Sequence, residues 1–390
     1  MPVKIAMIGQ KGIPSRAGGV EIHVEEISKR LACLGYEVVV YCRRNYCDIE
    51  AKNNKYFGTI LKFTPFINTK HLDAISHTFT STIHALLSGC SIFHYHALGP
   101  STLSFLPRIF GKKVVCTVHG LDWQRGKWGR TASAYLRFGE FATAKFSHKL
   151  ISVSKNLVRY YKEKYDKAAV YIPNGVERPD MLKPLIIKEK YQLDYDEYIL
   201  FLARIVPEKG AHYLIEAFKR LNTDKKLVIA GGLSHSSDYV QQLRELSGDN
   251  DNIIFTGFVR DRELAELYSN AYFYVLPSDI EGLPISLLEA MSYGNCCLVS
   301  NITENTDVVG TMGYSFEKSD INDLANKIEI LIKDKNKVEN VRKLASNYIL
   351  HKYNWDRIAV ETKNIYRSLS KNGPKKKRGF QNEGRIQNIN

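Results

Sequence analysis

Short apolar strands and amphipathic helical stretches alternate along this chain from its first residues to beyond residue 350. Residues 3–9 (Val-Lys-Ile-Ala-Met-Ile-Gly) predict a buried strand. A glycine-rich loop from Gln10 to Gly19 follows, and Val20, Val24, Ile27, Leu31 and Leu34 then recur at the spacing of one helix face. Gly35 ends that helix, residues 37–41 form the next strand, and 91–95, 113–118, 150–153 and 170–172 continue the series. The pattern restarts after a linker near 177–195, with strands at 198–203, 226–230, 253–257, 272–276 and 297–300 and a helix at 211–221. Strands that read as unbroken apolar runs between helices predict parallel sheets covered on both faces. The expected fold is α/β, with two Rossmann-like doubly wound domains over residues 1–180 and 181–354, a helix over 355–370 and a polar, disordered tail over 371–390.

At 390 residues the chain can hold two or three domains of about 150 residues each. No run of about 18 apolar residues predicts a membrane span, and the first residues lack the apolar region of a signal peptide, so a cytoplasmic location is expected. Seven cysteines without a C-x-x-C pair argue against disulfides and structural zinc. The net charge of +14 is unevenly spread, at +13 over residues 1–180, −4 over 181–370 and +5 over 371–390.

Three segments carry chemistry. The loop Gly9-Gln-Lys-Gly12-Ile-Pro-Ser-Arg-Ala-Gly18-Gly19 joins the first strand to the first helix, where a doubly wound sheet meets anions at a helix N-terminus. It is not G-x-G-x-x-G, and Arg43 and Arg44 stand where a NAD site wants an acid, so a turn without a ligand stays open. Arg204-Ile-Val-Pro-Glu-Lys209 follows the first strand of the second domain. A bidentate fork and a point charge there suit the two phosphates of a diphosphate, although two loop cations can be mere solvated surface. In Glu281-Gly-Leu-Pro284-Ile-Ser-Leu-Leu-Glu289, Pro284 is the natural first helical residue. Glu281 then lies in the loop before the helix, and Glu289 about a turn and a half inside it. One carboxylate can accept from sugar hydroxyls, the other from ribose, while the helix end meets phosphate; an acidic first turn with an ordinary helix glutamate is the plainer alternative.

Together these segments resemble the family-4 glycosyltransferases of the GT-B fold, retaining nucleotide-sugar enzymes whose two domains face a cleft and whose C-terminal helix packs back on the first domain. The resemblance spans roughly residues 3–370, and Glu281-x7-Glu289 is its most specific piece. Thr117-Val-His119-Gly-Leu-Asp122-Trp123-Gln-Arg-Gly-Lys-Trp128 resembles a bacterial subgroup that includes capsule and exopolysaccharide rhamnosyltransferases, and Ile172-Pro-Asn-Gly175 also fits. The resemblance implies that Arg204 and Lys209 bind the donor diphosphate, Glu289 the ribose and Glu281 the sugar hydroxyls near C3. It further implies that Leu283 lies against the phosphate-bearing turn and that the backbone near Val259 reads the base. Gly18 and Gly19 close over the phosphates, His119 sits beside the sugar, and Asp122 serves the acceptor as base or hydrogen-bond acceptor. In hexose-using relatives this histidine meets the 6-hydroxyl, which a rhamnose donor lacks.

The implied partners are a dTDP- or UDP-sugar donor, a lipid-linked saccharide acceptor and an anionic membrane surface facing the basic first domain, with no nucleic acid. No cofactor and no metal are expected. Asp194-Tyr-Asp196 and Asp249-Asn-Asp251 both precede strands and so lie at the wrong edge of the sheet, and His94 and His96 share a face without an obvious third ligand. Arg, Lys and a helix terminus are expected to neutralise the leaving diphosphate instead. A nucleotide-sugar epimerase of the same fold, a NADP oxidoreductase using Arg43 and Arg44, and a polyanion-binding protein using Lys375–Arg378 are the rival readings.

Overall fold

A computed structural model of the chain describes residues 2–14, 18–47, 54–69, 72–124, 129–232 and 237–369. The expected tail over 371–390, with Lys375–Arg378, and residues Lys127 and Trp128 lie outside the described residues. In the first half the strands are β1 (Lys4–Ile8), β2 (Glu37–Cys42), β3 (Lys55–Tyr56), β4 (Thr59–Phe63), β5 (Ile92–His96), β6 (Lys113–Val118), β7 (Lys149–Ser152) and β8 (Ala169–Tyr171). The second half holds β9 (Tyr198–Leu202), β10 (Lys226–Ala230), β11 (Ile253–Gly257), β12 (Phe273–Leu276), β13 (Cys297–Ser300) and β14 (Tyr314–Phe316). The sequence reading lacks β3, β4 and β14, which are short or carry lysine and serine among their apolar residues.

Among the described residues one sheet has the order β3-β4-β2-β1-β5-β6-β7-β8 and the other β11-β10-β9-β12-β13-β14. Every pairing is parallel except the β3–β4 hairpin. Alternate residues of β1 explain why its apolar run is continuous. Ile5 and Met7 enter the core under the first helix, Gly19–Cys33, while Ala6 and Ile8 enter the core on the opposite face. A third cluster fills the second half. The expected linker is not all linker: residues 186–191 are helical, and Ile187 and Leu193 are fully buried in that third cluster. The buried carboxylate of Glu266 accepts from the amides of Leu185, Ile186 and Ile187 and so caps the helix from another element.

The last helix of the described residues returns to the first half. The helix Trp355–Leu369 lies along the helix Gly19–Cys33, with Trp355, Ile358, Ala359 and Tyr366 in the core of the first half. The Tyr366 hydroxyl meets His94 Nδ1 at 2.6 Å, and His94 Nε2 meets the Thr117 hydroxyl at 2.7 Å, all buried. A Tyr366→Phe variant should therefore lose about 1–3 kcal/mol in chemical denaturation, because it strands a buried ring nitrogen. Val360→Ala on the exposed side of the same helix should stay within about 0.5 kcal/mol of the parent.

Candidate functional site

Where a doubly wound sheet reverses its strand order, the loops leaving the two flanking strands diverge and open a crevice. In the second sheet the reversal falls between β9 and β12. The loop after β9 carries Arg204 and the 3-10 turn Pro207–Lys209, and the loop after β12 carries Glu281. The two are stitched together: the Asp279 amide donates to the Glu208 carbonyl at 2.9 Å. Gly210 has φ +72, and a Cβ there would lie 2.1 Å from the Pro277 carbonyl oxygen, so only glycine permits this approach. Lys209 and Glu281 consequently form an ion pair, with side chains 12% and 6% exposed. Arg204 is half-buried in the same loop.

The helix beyond Glu281 runs Ile285–Ser292, one residue later than the sequence predicts. Pro284 is its N-cap, with an extended ψ of 110°, and its carbonyl accepts from Leu287 and Leu288. Glu289 lies half-buried on the fifth helical residue and accepts from the Tyr268 hydroxyl at 3.3 Å. Burial and that neighbouring carboxylate hold the Tyr268 phenol protonated, well above its ordinary range. Val259 is buried just past β11, next to the exposed ring of Phe258, which packs over Gly232 at the end of β10.

The first half meets this edge backbone to backbone. A Cβ on Gly282 would fall 1.8 Å from the His119 carbonyl oxygen, so the loop between Glu281 and Leu283 lies directly on the turn that follows β6. Gly19 faces Ile285 across the same junction. Gly18 is the N-cap of the first helix, and the Glu21 carboxylate folds under it to accept the Lys11 amide at 2.9 Å. One donor of the glycine loop is thus already occupied by the chain's own anion. Asp122 opens the 3-10 turn Asp122–Gln124. Its neighbour Trp123 is fixed by donating to Glu140 at 2.6 Å beneath the Arg137 guanidinium.

Two residues that sequence reasoning did not single out complete the junction. Asn174 donates to the Leu283 carbonyl at 3.1 Å, and its oxygen meets His23 Nδ1 at 2.9 Å. The motif Ile172-Pro-Asn-Gly175 is the only sequence signal for Asn174; His23 has none beyond its place on the first helix. His23, His96 and His119 each bring a ring nitrogen within 4.8 Å of the others. The sequence finds no third ligand for His94 and His96, yet folding supplies two partners to His96 and turns His94 toward Tyr366 instead. Burial lowers His23 to about 4 and His94 to about 3, and holds His96 well below the ordinary imidazole range. The two Asp-x-Asp segments lie in turns before β9 and β11, as expected, and Asp196 pairs with Arg342 at 2.7 Å.

Two family models match the chain, Glycosyltransferase Family 4 over residues 17–178 and Glycosyl transferases group 1 over residues 185–348. An uncharacterized glycosyltransferase of Methanocaldococcus jannaschii is 27% identical over 94% of this chain and 98% of its own length. The O-antigen chain mannosyltransferase B of Escherichia coli is 29% identical over 51% of this chain and 52% of its own. Sucrose-phosphate synthase from Thermosynechococcus elongatus superposes with a TM-score of 0.81 at 20% identity, covering 94% of this chain and 99% of that one. HepE from Anabaena, solved with UDP and glucose, gives 0.78 at 16% identity over 94% and 100% of the two chains.

The Lys209–Glu281 pair makes a direct test of this geometry. Lys209→Met leaves a nearly buried carboxylate without its cation and should cost about 3–5 kcal/mol in urea unfolding at neutral pH. Adding Glu281→Leu should recover most of that loss, and additive effects in the double-mutant cycle would show that the two side chains do not pair.

Proposed function

The chain is a glycosyltransferase of GT-B type, built from a family 4 half and a group 1 half, and on that premise we propose that it moves a sugar, with retention, from a nucleotide diphosphate donor to a saccharide acceptor in polysaccharide assembly. The observation that carries this reading is the meeting of Arg204, Lys209 and Glu281 at one strand-order reversal, directly opposite the His119 turn. Departure of a nucleoside diphosphate develops about two negative charges. Arg204 and the amides opening the helix Ile285–Ser292 are preorganised donors for them, and Lys209 joins them on leaving Glu281.

In this mechanism the bond from the anomeric carbon to the diphosphate oxygen breaks as the acceptor oxygen approaches the same face. The acceptor proton passes to the departing phosphate oxygen, so no carboxylate nucleophile and no metal enter the step. Glu281 holds sugar hydroxyls, Glu289 the ribose and the backbone near Val259 the base. Leu283 lines the phosphate turn, Gly18 and Gly19 cover it, and Asp122 faces the acceptor. The pairing of Lys209 with Glu281 is compatible with this division: an arriving diphosphate draws Lys209 off and frees Glu281 for the sugar.

The donor reading shifts with the relatives. Several named ones are mannosyltransferases, from Escherichia coli and Mycobacterium tuberculosis, and one is a capsular polysaccharide glycosyltransferase of Staphylococcus aureus. They favour a hexose donor over the rhamnose expected from the segment around His119, and a hexose restores a 6-hydroxyl for His119 to meet. A lipid-linked acceptor at the membrane has its own support. Among the described residues no helix is long and apolar enough to cross a bilayer. The rings of Phe138, Phe141, Phe146 and Phe105 nevertheless form a ladder; Ile109 and Phe110, a few residues beyond Phe105, are exposed, and Arg108, Arg137 and Lys145 are neighbours of these rings in sequence. Such a face suits anionic lipid at about 1 kcal/mol per nearby cation.

A screen of GDP-mannose, UDP-glucose and dTDP-rhamnose with saccharide acceptors tests the activity. Arg204→Ala and Glu281→Ala should each lower transfer about 100- to 1,000-fold in folded protein. Full activity in the folded double variant, or an epimerised sugar nucleotide formed without acceptor, would sink the reading. In a separate assay, a Phe138→Ser, Phe141→Ser variant should bind phosphatidylglycerol vesicles more weakly at low salt, yet keep its rate on a water-soluble acceptor. Equal vesicle binding by parent and variant removes the membrane face.

A further inference from the structure

Of the three histidines clustered on the first-half side of the junction, only His119 enters the transfer reading above. The cluster joins three elements, with His23 on the helix Gly19–Cys33, His96 at the end of β5 and His119 just past β6, and its ring nitrogens lie within 4.8 Å of one another. The ring centroids are 4.8 Å apart for His23 and His119, 5.4 Å for His23 and His96, and 5.6 Å for His96 and His119.

Three features make this an ion site as well as a packed core. His96 Nδ1 and His119 Nε2 are 3.4 Å apart, long for an N–H···N hydrogen bond. With zinc–nitrogen bonds of about 2.0–2.1 Å, about 3.3–3.4 Å is the edge of a tetrahedron whose corners are the ligand nitrogens, so this one pair stands at ligand spacing, while the set of three lies within 4.8 Å. His96 Nε2 is buried without a hydrogen-bond partner among the described residues, so this ring's bonding capacity is under-used. The Asn174 amide oxygen accepts at His23 Nδ1, because its NH2 group is committed to the Leu283 carbonyl. That fixes the proton on Nδ1 and leaves Nε2 as the lone pair, the outer-shell arrangement that orients a metal-ligating histidine. His119 is half-buried and offers the way in from solvent.

We propose that His23, His96 and His119 form a three-imidazole site for a zinc-like divalent cation, with the fourth coordination position open to the cleft. Nitrogen ligands without a carboxylate select a borderline-soft ion of this kind over magnesium or calcium. The site is additional to the transfer chemistry. An ion there engages the His119 ring, so zinc should compete with the donor; that consequence alone rests on the function proposed above.

The test needs no activity. Equilibrium dialysis of the metal-free full chain against zinc alone should give one bound equivalent. Cobalt(II) in its place should develop the intense visible absorption of a four-coordinate ion. His96→Gln and His23→Gln keep most of the side-chain volume and act from different elements. Each should weaken binding at least about tenfold, while His148→Gln, just before β7 at the opposite end of the parallel strands, should leave it unchanged. Circular dichroism and thermal unfolding of each metal-free variant establish that it is folded. No bound equivalent in the parent chain, or equal binding by parent and folded His96→Gln and His23→Gln, would overturn the site. Either result leaves the transferase reading standing, just as a failed donor screen with one zinc bound would leave the metal site standing.

Discussion

A parallel sheet has amides and carbonyls paired along its length, and its free backbone groups appear at the strand ends. What turns one end into a site is the reversal of winding. In each half the chain moves outward from its first strand, then crosses back and continues on the other side, so β5 lies beside β1 and β12 beside β9. The loops leaving those neighbouring strands have to part, and the gap between them is the one place where long side chains from distant segments can converge without displacing a helix. Lys209 and Glu281 meet at one gap. His96 and the glycine loop stand at the other, and His119 leaves the next strand over.

The second constraint is steric. Two sheet edges cannot share one ligand unless the loops between them come within backbone distance, and Gly282 on the His119 carbonyl supplies that contact. Asn174 ties it down by bonding Leu283 on one side of the junction and His23 on the other. The terminal helix then fixes the first half from behind, through Tyr366 on His94 and Trp355 against Gly175. At Gly282 and Leu283 the junction is thus held by backbone contact and neutral hydrogen bonds, with Asn156 donating to Glu304 at 3.1 Å farther along. The charges beside it are held by each other: a nearly buried ion pair costs desolvation in return for its attraction, and a polyanion can take over the lysine.

Most of the fold was legible because parallel strands buried on both faces leave an unbroken apolar signature. The strands at 113–118, 226–230, 253–257 and 297–300 have the predicted bounds. The edge strands β3 and β14 were not, since a half-covered edge tolerates lysine and serine, and neither was their neighbour β4, whose apolar run is broken by Thr59 and Lys62. The start of the helix at residue 285 slipped by one because proline favours the first helical position by its φ alone, whereas its ψ here stays extended. At the site, Arg204, Lys209 and Glu281 could be read from their place after strands. Asn174 and His23 could not, because 151 residues separate them and the contact exists only through the sheet order.

For the same reason, sequence spacing does not bring the clustered histidines together. Alternation along β5 correctly puts His94 and His96 on one face, with ring centroids 4.2 Å apart, and a pair at that spacing invites a search for a third ligand nearby in sequence. The sheet order does something else. It places β6 next to β5, so His119, which follows β6, lands beside His96, and the first helix crosses that edge with His23 facing inward. His94, one turn of the pleat deeper, is claimed by Thr117 and by a tyrosine from the last helix of the described chain. Two histidines that look equivalent in sequence thus acquire different chemistry from depth alone. One is saturated and structural; the other is left with a ring nitrogen that has no partner among the described residues.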